Sequence, residues 1–344
     1  MGVLAVPLWI WAATIGALLL ILGTELVLGI RSGGHAVGMR EAALWTAAIV
    51  ALAVVFGLSV GWLGHPAAAG QFFTGWLTEY SLSLDNLFIF VLLIGRSAVP
   101  RALHSRILLL GVAAALLLRG IFIALGASAI SRFSWILYLF GALLIYTAIR
   151  LAVSQRQQDD KSADGLLRVI ARFVPVAERG DGARLLTRVD GRTKATPVLF
   201  LILTIAATDL VFALDSIPAI FGLTRDPYLI FTANMFALLG LRQLYFLMRG
   251  LLSRLVYLSA GLAVILGFIG AKLITEALAD SGVRALGPVP VPHIGTGPSL
   301  AVIGSVLVVV TVTSLLAPPR RDASENPPPD PPCAVSDQRL AAGG

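Results

Sequence analysis

Nine apolar stretches follow one another along this chain, and each is long enough to cross a lipid bilayer. Stretches of this length are typical of transmembrane helices, which satisfy all their backbone hydrogen bonds internally. The pattern therefore predicts an all-α polytopic membrane protein with about nine transmembrane helices. The predicted spans cover roughly residues 4–30, 41–63, 72–95, 104–126, 132–153, 197–222, 227–249, 254–276 and 298–317.

The composition excludes an ordinary soluble protein, because 57% of the residues are hydrophobic and only 13% are charged. The single cysteine, Cys333, excludes a disulfide framework and a cysteine-based metal cluster. The four histidines fall in or near predicted loops, and none is predicted as a ligand. No Lys or Arg precedes the first apolar stretch, so we expect it to be retained rather than removed as a signal peptide.

The distribution of Lys and Arg predicts the orientation of the chain in the membrane. Of the 26 Lys and Arg residues, 20 lie in the tail and in the connections after spans one, three, five and seven. Three lie on the opposite side and three lie within spans. Because positive residues favour the cytoplasmic side, the N-terminus is predicted outside and the C-terminus inside the cytoplasmic membrane. The net charge of +7 then reflects topology, and nucleic acid is not an expected partner.

Two of the apolar stretches carry carboxylates at the same spacing. Glu79 precedes Asp85 by six residues, and Asp209 precedes Asp215 by six. Asn86 follows one pair and Ser216 follows the other. Each carboxylate at a helix centre costs about 2.5–3.5 kcal/mol on insertion scales, so these acids are expected to be functional or paired.

Isolated cations extend this repeat to neighbouring spans. Arg119 in span four and Arg242 in span seven each interrupt an otherwise apolar stretch. Spans five and eight open with SRF and SRL, and each has a second cation 18 residues later. Spans three to five and six to eight are therefore predicted to be two copies of a three-helix unit. Since three is odd, the copies enter the membrane from opposite sides, as in the inverted repeats of many secondary transporters.

The repeat divides the chain into parts. Within its long inner loop, the sequence RVDGR predicts a tight hairpin. The predicted parts are two N-terminal helices in 1–71, a first three-helix repeat in 72–153, a cytoplasmic loop in 154–196, a second three-helix repeat in 197–276, a loop and the ninth helix in 277–317, and a disordered, proline-rich tail in 318–344.

The four acids predict a cation site between the two repeats. The four carboxylates exceed the two intramembrane arginines by two negative charges, and a divalent cation would neutralise that excess. The alternative is that the acids only form structural salt bridges with the arginines. Acids six residues apart point about 120° apart and lie roughly 9 Å apart along a helix, so one acid of each copy is expected to meet its counterpart at the ion. The others would then lie along the route or hold protons. Pro218 is expected to break the sixth span and expose a carbonyl beside Asp215.

Most of the possible metal-binding atoms in the spans are oxygens. Asn86 and Asn234 could add amide oxygens to the carboxylates, and no thiolate or imidazole is expected within the spans. Such a donor set favours Mn²⁺, Mg²⁺ or Ca²⁺ over Zn²⁺ or Cu⁺.

The stretches SLSLDNLFIF and TDLVFALDSIPAIFGLTRDPYLIFTANMFALLGLRQLYF closely resemble the TerC family of integral membrane proteins. The resemblance implies nine spans, a relationship to the lysine-exporter superfamily, and links to manganese efflux, metal loading of exported enzymes and tellurite resistance. It also implies a site formed by the residues that match the family's acids and neighbouring amides: Glu79, Asp85, Asn86, Asp209, Asp215 and Asn234. One position departs from the pattern, because Ala206 stands where many members carry Glu.

The predicted function is export of Mn²⁺ across the cytoplasmic membrane in exchange for protons, with Mn²⁺ as transported ion rather than tightly bound cofactor. The alternative is an assembly or interaction protein that supports metalation of exported proteins or tellurite resistance without itself transporting, with membrane proteins or secretion machinery as partners. An enzyme is not expected: an intramembrane aspartyl protease would need two adjacent acids, and no GxGD motif accompanies them. No GxxxxGK[ST] motif supports direct use of ATP.

Overall fold

The structure is a computed structural model. It describes residues 6–31, 39–63, 65–97, 99–133, 135–153, 185–189, 192–239, 241, 244–245, 257–283, 285–286, 289–290, 292 and 294–316. Over these residues the chain forms nine α-helices and two short hairpins. The helices are α1 (Leu8–Arg31), α2 (Met39–Trp62), α3 (Pro66–Arg96), α4 (Arg101–Arg132), α5 (Ile136–Val153), α6 (Pro197–Phe221), α7 (Pro227–Leu239), α8 (Leu258–Asp280) and α9 (Thr296–Leu316).

These helices confirm the predicted all-α polytopic membrane protein. Within the described residues, seven helices are long and apolar enough to cross a membrane, and the apolar parts of α1 and α7 are shorter. Each helix lies within one predicted span or overlaps most of it. The seventh predicted span runs to residue 249, but most of it beyond Leu239 lies outside the described residues.

Several helix contacts exchange with one another as two three-helix units would require, and the inverted repeat itself stays a prediction. Exchanging the units replaces α3 with α6, α4 with α7 and α5 with α8. The α4–α6 contact then becomes the α3–α7 contact, and the α5–α6 contact becomes the α3–α8 contact. The α5–α8 contact maps onto itself, and all of these pairs pack together in the structure.

Backbone contact is closest where α5 crosses α8. A Cβ atom placed on Gly141 would lie 2.7 Å from Ile274 Cγ1 and 3.0 Å from the Gly270 carbonyl oxygen. A Cβ atom on Gly270 would lie 3.0 Å from the Gly141 carbonyl oxygen. Small residues that let helix backbones approach are the usual basis of association in lipid, since lipid tails remove most of the hydrophobic drive between helices. The two glycines therefore allow the backbones of α5 and α8 to approach each other closely.

The long connection between α5 and α6 contains the predicted hairpin. Strands β1 (Leu186–Val189) and β2 (Arg192–Ala195) pair antiparallel, with Val189 opposite Arg192. The register leaves two residues between the strands, Asp190 and Gly191, on which the prediction rests and which lie outside the described residues. Thr196 follows β2 directly, and its hydroxyl accepts a hydrogen bond from the Leu199 backbone N–H and so caps α6. A second short hairpin, β3 (Ala285–Leu286) and β4 (Val289–Pro290), precedes α9. The predicted disordered tail lies outside the described residues.

The predicted break of the sixth span at Pro218 is wrong. Helix α6 is continuous from Pro197 to Phe221 and includes Pro218. The proline lies three residues before the helix ends, so only its last turn follows and little helix remains to be kinked. The Gly222 N–H donates to the Pro218 carbonyl at 3.1 Å and closes that turn. A site formed by an unwound helix is therefore not present in α6.

Candidate functional site

Arg119 is the centre of a buried polar cluster in the helix bundle. It lies on α4, well inside both ends of the helix, and is 1% exposed. A guanidinium carries five N–H donors and stays charged in proteins. Such a group is costly in the hydrocarbon region unless carboxylates and other acceptors surround it.

Asp209 forms a two-pronged ion pair with this arginine. Arg119 Nε donates to Asp209 Oδ2 at 2.7 Å, and Nη2 donates to Oδ1 at 3.0 Å. This planar fork is the geometry in which arginine binds carboxylates most strongly. Asp209 lies twelve residues from each end of α6, about 18 Å along the helix from either end. The ion pair therefore lies near the middle of the predicted membrane span.

Three further oxygen groups meet Arg119 Nη1. Glu79 on α3 accepts through Oε1 as the second carboxylate. The Ser216 hydroxyl on α6 accepts at 3.1 Å, and Asn234 Oδ1 on α7 lies at a longer 3.4 Å. Ser216 follows Asp209 by seven residues, or two helical turns, so both side chains point from the same face of α6. Among the described residues, α3, α4, α6 and α7 thus each contribute to one oxygen-rich cluster, which we call the central cluster.

The central cluster has more negative than positive charge. Its described residues comprise two carboxylates, Glu79 and Asp209, and one guanidinium, so one formal negative charge remains. Glu79 Oε2 and Asn234 Nδ2 are also buried without a hydrogen-bond partner among the described residues. Because a buried carboxylate oxygen without a partner is costly, this oxygen is the part of the cluster best suited to take a proton or a cation.

Asp215 belongs to a different contact. Its Oδ1 accepts a hydrogen bond from Thr147 Oγ1 on α5 at 3.0 Å, and the nearby Arg150 guanidinium attracts its charge. The six-residue spacing predicted that Asp209 and Asp215 would face different neighbours, and they do, since one meets α4 and the other α5. Thr147 was not predicted. The signal available was that Thr147 and Arg150 lie one turn apart in an otherwise apolar helix.

The structure brings together the first acid of each predicted repeat, Glu79 and Asp209. Asn86 is half-buried on α3 and takes no part in the hydrogen bonds of the central cluster. Asp85 lies in α3, but its side chain and the whole of Arg242 lie outside the described part of the structure. The pairing of Asp85 with Asp215 therefore stays a prediction. Among the described side chains, no three His, Cys, Asp or Glu residues converge as they do in a resident metal centre.

Comparison with known proteins identifies the family. A model of the integral membrane protein TerC family matches residues 64–322, which contain helices α3 to α9 and the whole central cluster. The chain belongs to the TerC family. No solved structure matches it.

Several relatives in the TerC family are similar over most of their length. The chain is 41% identical over 312 residues to the uncharacterized membrane protein Rv2723 of Mycobacterium tuberculosis, covering 89% of this chain and 78% of that protein. It is 40% identical over 264 residues to an uncharacterized membrane protein of Myxococcus xanthus, covering 77% and 82%. It is 37% identical over 282 residues to Alx of Escherichia coli, covering 80% and 88%. That relative carries the provisional name membrane-bound redox modulator.

Proposed function

We propose that this TerC-family protein exports Mn²⁺ across the cytoplasmic membrane in exchange for protons. The observation that carries the proposal is that Glu79 and Asp209, the first acids of the two predicted repeats, both bind one buried guanidinium, that of Arg119. Inverted-repeat transporters place their sites at this kind of interface, where movement of one unit against the other exposes the site to each side in turn. TerC membership and the oxygen donors support the same proposal.

The ligands of the central cluster suit a hard or borderline divalent cation. Glu79, Asp209, Ser216 and Asn234 offer carboxylate, hydroxyl and amide oxygens, which are the donors that Mn²⁺ and Mg²⁺ accept in proteins. In our proposal the Arg119 guanidinium forms ion pairs with Glu79 and Asp209 when no metal is bound and so takes the place of the metal. An incoming metal displaces the guanidinium first from Glu79, whose second oxygen is unpartnered.

Proton exchange follows from the charge of the central cluster. Its formal charge is −1 with the guanidinium present, and a divalent ion would make it +1. Protonation of a carboxylate removes one of the charges that hold the metal and favours its release. The remaining acids of the predicted site, Asp85 and Asp215, with Asn86 as a neutral neighbour, would then form the route by which the ion leaves the central cluster.

The rival proposal is an assembly or interaction protein that serves partner membrane proteins. It predicts that the acids of the central cluster are dispensable and that the inner loop is essential. The name of the relative Alx suggests redox modulation, but this chain has one cysteine and so lacks an internal thiol pair. A protease dyad would share a proton between its carboxylates, whereas Glu79 and Asp209 both bind Arg119.

Transport by the purified protein tests the proposal. The full chain, reconstituted in liposomes that contain a Mn²⁺-sensitive dye and a pH indicator, is expected to move Mn²⁺ down an imposed gradient with protons moving in the opposite direction. Mg²⁺, Ca²⁺ and Zn²⁺ serve as competitors, and liposomes without protein give the background. A Mn²⁺ flux equal to that background would contradict the proposal and favour the rival.

The predicted orientation has a separate test, because export requires it. In a Cys333→Ala background, Ser131→Cys places a thiol on an exposed residue at the end of α4, and Thr193→Cys places one on exposed strand β2. From the Lys and Arg distribution we expect a membrane-impermeant maleimide added to intact cells to label Ser131→Cys and not Thr193→Cys. Permeabilised cells should label both. The reverse pattern in intact cells would invert the proposed orientation and the direction of transport.

A further inference from the structure

Helix α8 contains a buried lysine that the central cluster does not use. Lys272 is 0% exposed and lies within a helix that is long and apolar enough to span the membrane. Its Nζ has no hydrogen-bond partner among the described residues. The nearest described carboxylate oxygen is Glu276 Oε1, at 3.7 Å, which is longer than a hydrogen bond. Intramembrane lysines are rare because they are costly, so this one calls for a role.

Charged groups continue from Lys272 to the surface. Glu276 and Asp280 follow it by four and eight residues, so the three lie along one side of α8. The exposed fraction of the side chain rises from 1% at Lys272 to 9% at Glu276 and 39% at Asp280. Arg225, in the connection between α6 and α7, lies 3.8 Å from Glu276 Oε2 and 2.7 Å from Asp280 Oδ2. We call these four residues the α8 ladder.

A purely structural role explains only part of the α8 ladder. The ion pairs of Arg225 with Glu276 and Asp280 would hold the α6–α7 connection against the end of α8. These ion pairs form without any contribution from Lys272. A leucine at position 272 would fill the same apolar space without a buried charge. These ion pairs therefore explain Arg225, Glu276 and Asp280, but they do not explain the buried ammonium group of Lys272.

We infer that the α8 ladder is a proton path that joins the interior of the bundle to the surface. In the transfer step, rotation of the two side chains first closes the 3.7 Å between Lys272 Nζ and Glu276 Oε1 to hydrogen-bond distance. An N–H bond of the ammonium then breaks and an O–H bond forms on the carboxylate oxygen, which leaves an amine and a carboxylic acid. Glu276 passes the proton to water near Asp280, and the reverse sequence recharges Lys272. Glu276 and, beyond it, Arg225 and Asp280 are the charged groups that the described ion pairs place along this path. In the predicted orientation the path opens on the outer side.

Measuring proton movement coupled to Mn²⁺ transport tests this inference, and this test rests on the proposed function. Lys272→Arg is the decisive variant, since it keeps the positive charge and the ion pair but stays protonated in proteins. In the liposome assay we expect Mn²⁺-linked proton movement in this variant to fall by about a hundredfold, the scale of a lost proton-transfer group. The double variant Lys272→Met/Glu276→Gln removes both charges together and should fold with a similarly low proton movement. Wild-type coupling in either folded variant would overturn the inference.

A second measurement separates failure of the path from failure of the proposed function. Dicyclohexylcarbodiimide modifies protonated carboxyl groups in apolar surroundings, and mass spectrometry of the purified full chain locates the modified residue without any transport. We expect modification of Glu276 that rises as the pH falls, with Glu276→Gln as control. If the wild type moves no Mn²⁺ but Glu276 is modified in this way, the transport proposal fails and the path stands. No modification of Glu276 at any pH would overturn the path.

Discussion

Arg119→Ala is expected to remove most of the folded protein. The substitution leaves Glu79 and Asp209 near the middle of the membrane without their counter-charge, and each of these residues is only 1% exposed. Breaking a buried ion pair by removing one partner costs about 3–5 kcal/mol, a large fraction of the stability of most proteins. The measurement is the yield of monodisperse protein after mild detergent extraction, together with its thermal unfolding midpoint.

Three variants make this result specific to the central cluster. Arg132→Ala removes an exposed arginine from the same helix, so we expect wild-type yield. Arg119→Lys keeps the charge but cannot reproduce the two-pronged bond to Asp209, so its yield should be intermediate. Arg119→Met combined with Glu79→Gln and Asp209→Asn removes all three charges and should recover folded protein without transport. If Arg119→Ala alone matched the wild type in yield and melting, the ion pairs would not hold the bundle together.

Glu79→Gln and Asp209→Asn are each expected to remove most Mn²⁺ transport while leaving the protein folded. Each change keeps the shape and one oxygen of the side chain but removes a charge that compensates a divalent ion in a site of low dielectric constant. We expect Mn²⁺ flux in liposomes to fall by about a hundredfold. Mutating a residue that only hydrogen-bonds to a metal ligand already lowers affinity or activity by up to about this factor. Folding should survive because Arg119 keeps one carboxylate in each variant, and a neutral amide costs less to bury than a carboxylate.

Asp215→Asn is the matched comparison for these two variants. It removes the same charge from α6, but its carboxylate contacts Thr147 on α5 and lies outside the central cluster. If the central cluster binds the metal, Asp215→Asn should keep a larger share of the flux than Asp209→Asn. If Asp85 and Asp215 are instead the ligands, Asp215→Asn should be the more severe change. Wild-type flux in Glu79→Gln and Asp209→Asn would remove the central cluster from the transport mechanism and support the rival function.

The helices were predictable because the signals that define them are local. About 20 consecutive apolar residues predict a transmembrane helix wherever it lies in the fold, and the described helices fall within or close to the predicted spans. The Asp190–Gly191 pair likewise predicted, from two residues, that the flanking strands β1 and β2 pair with each other. The predicted break at Pro218 is wrong because the proline lies three residues before the end of α6, so a kink there would displace only the last turn.

Repeat spacing predicted which residues carry charge inside the membrane, and it correctly predicted that acids of one helix face different neighbours. The salt-bridge alternative correctly placed acids on an arginine, since Glu79 and Asp209 both pair with Arg119. Neither interpretation predicted that these two acids would share one arginine or that Asp215 would accept a hydrogen bond from Thr147. Nor did the repeat spacing predict the α8 ladder, although Lys272 is the second cation of span eight, 18 residues after Arg254. The missing information was which way each helix is turned within the bundle.

The sequence alone thus determined which apolar stretches form the described helices, their approximate limits and the residue types that must be satisfied in the membrane. Only the tertiary structure decided which of these groups meet. Arg119 is 40 residues from Glu79 and 90 from Asp209 along the chain, so their contact depends on how α3, α4 and α6 cross and rotate. Membrane helices are apolar on all sides, and hydrophobic periodicity therefore does not set that rotation. Close glycine contacts and buried charge pairs set it instead, and both form only when the helices pack.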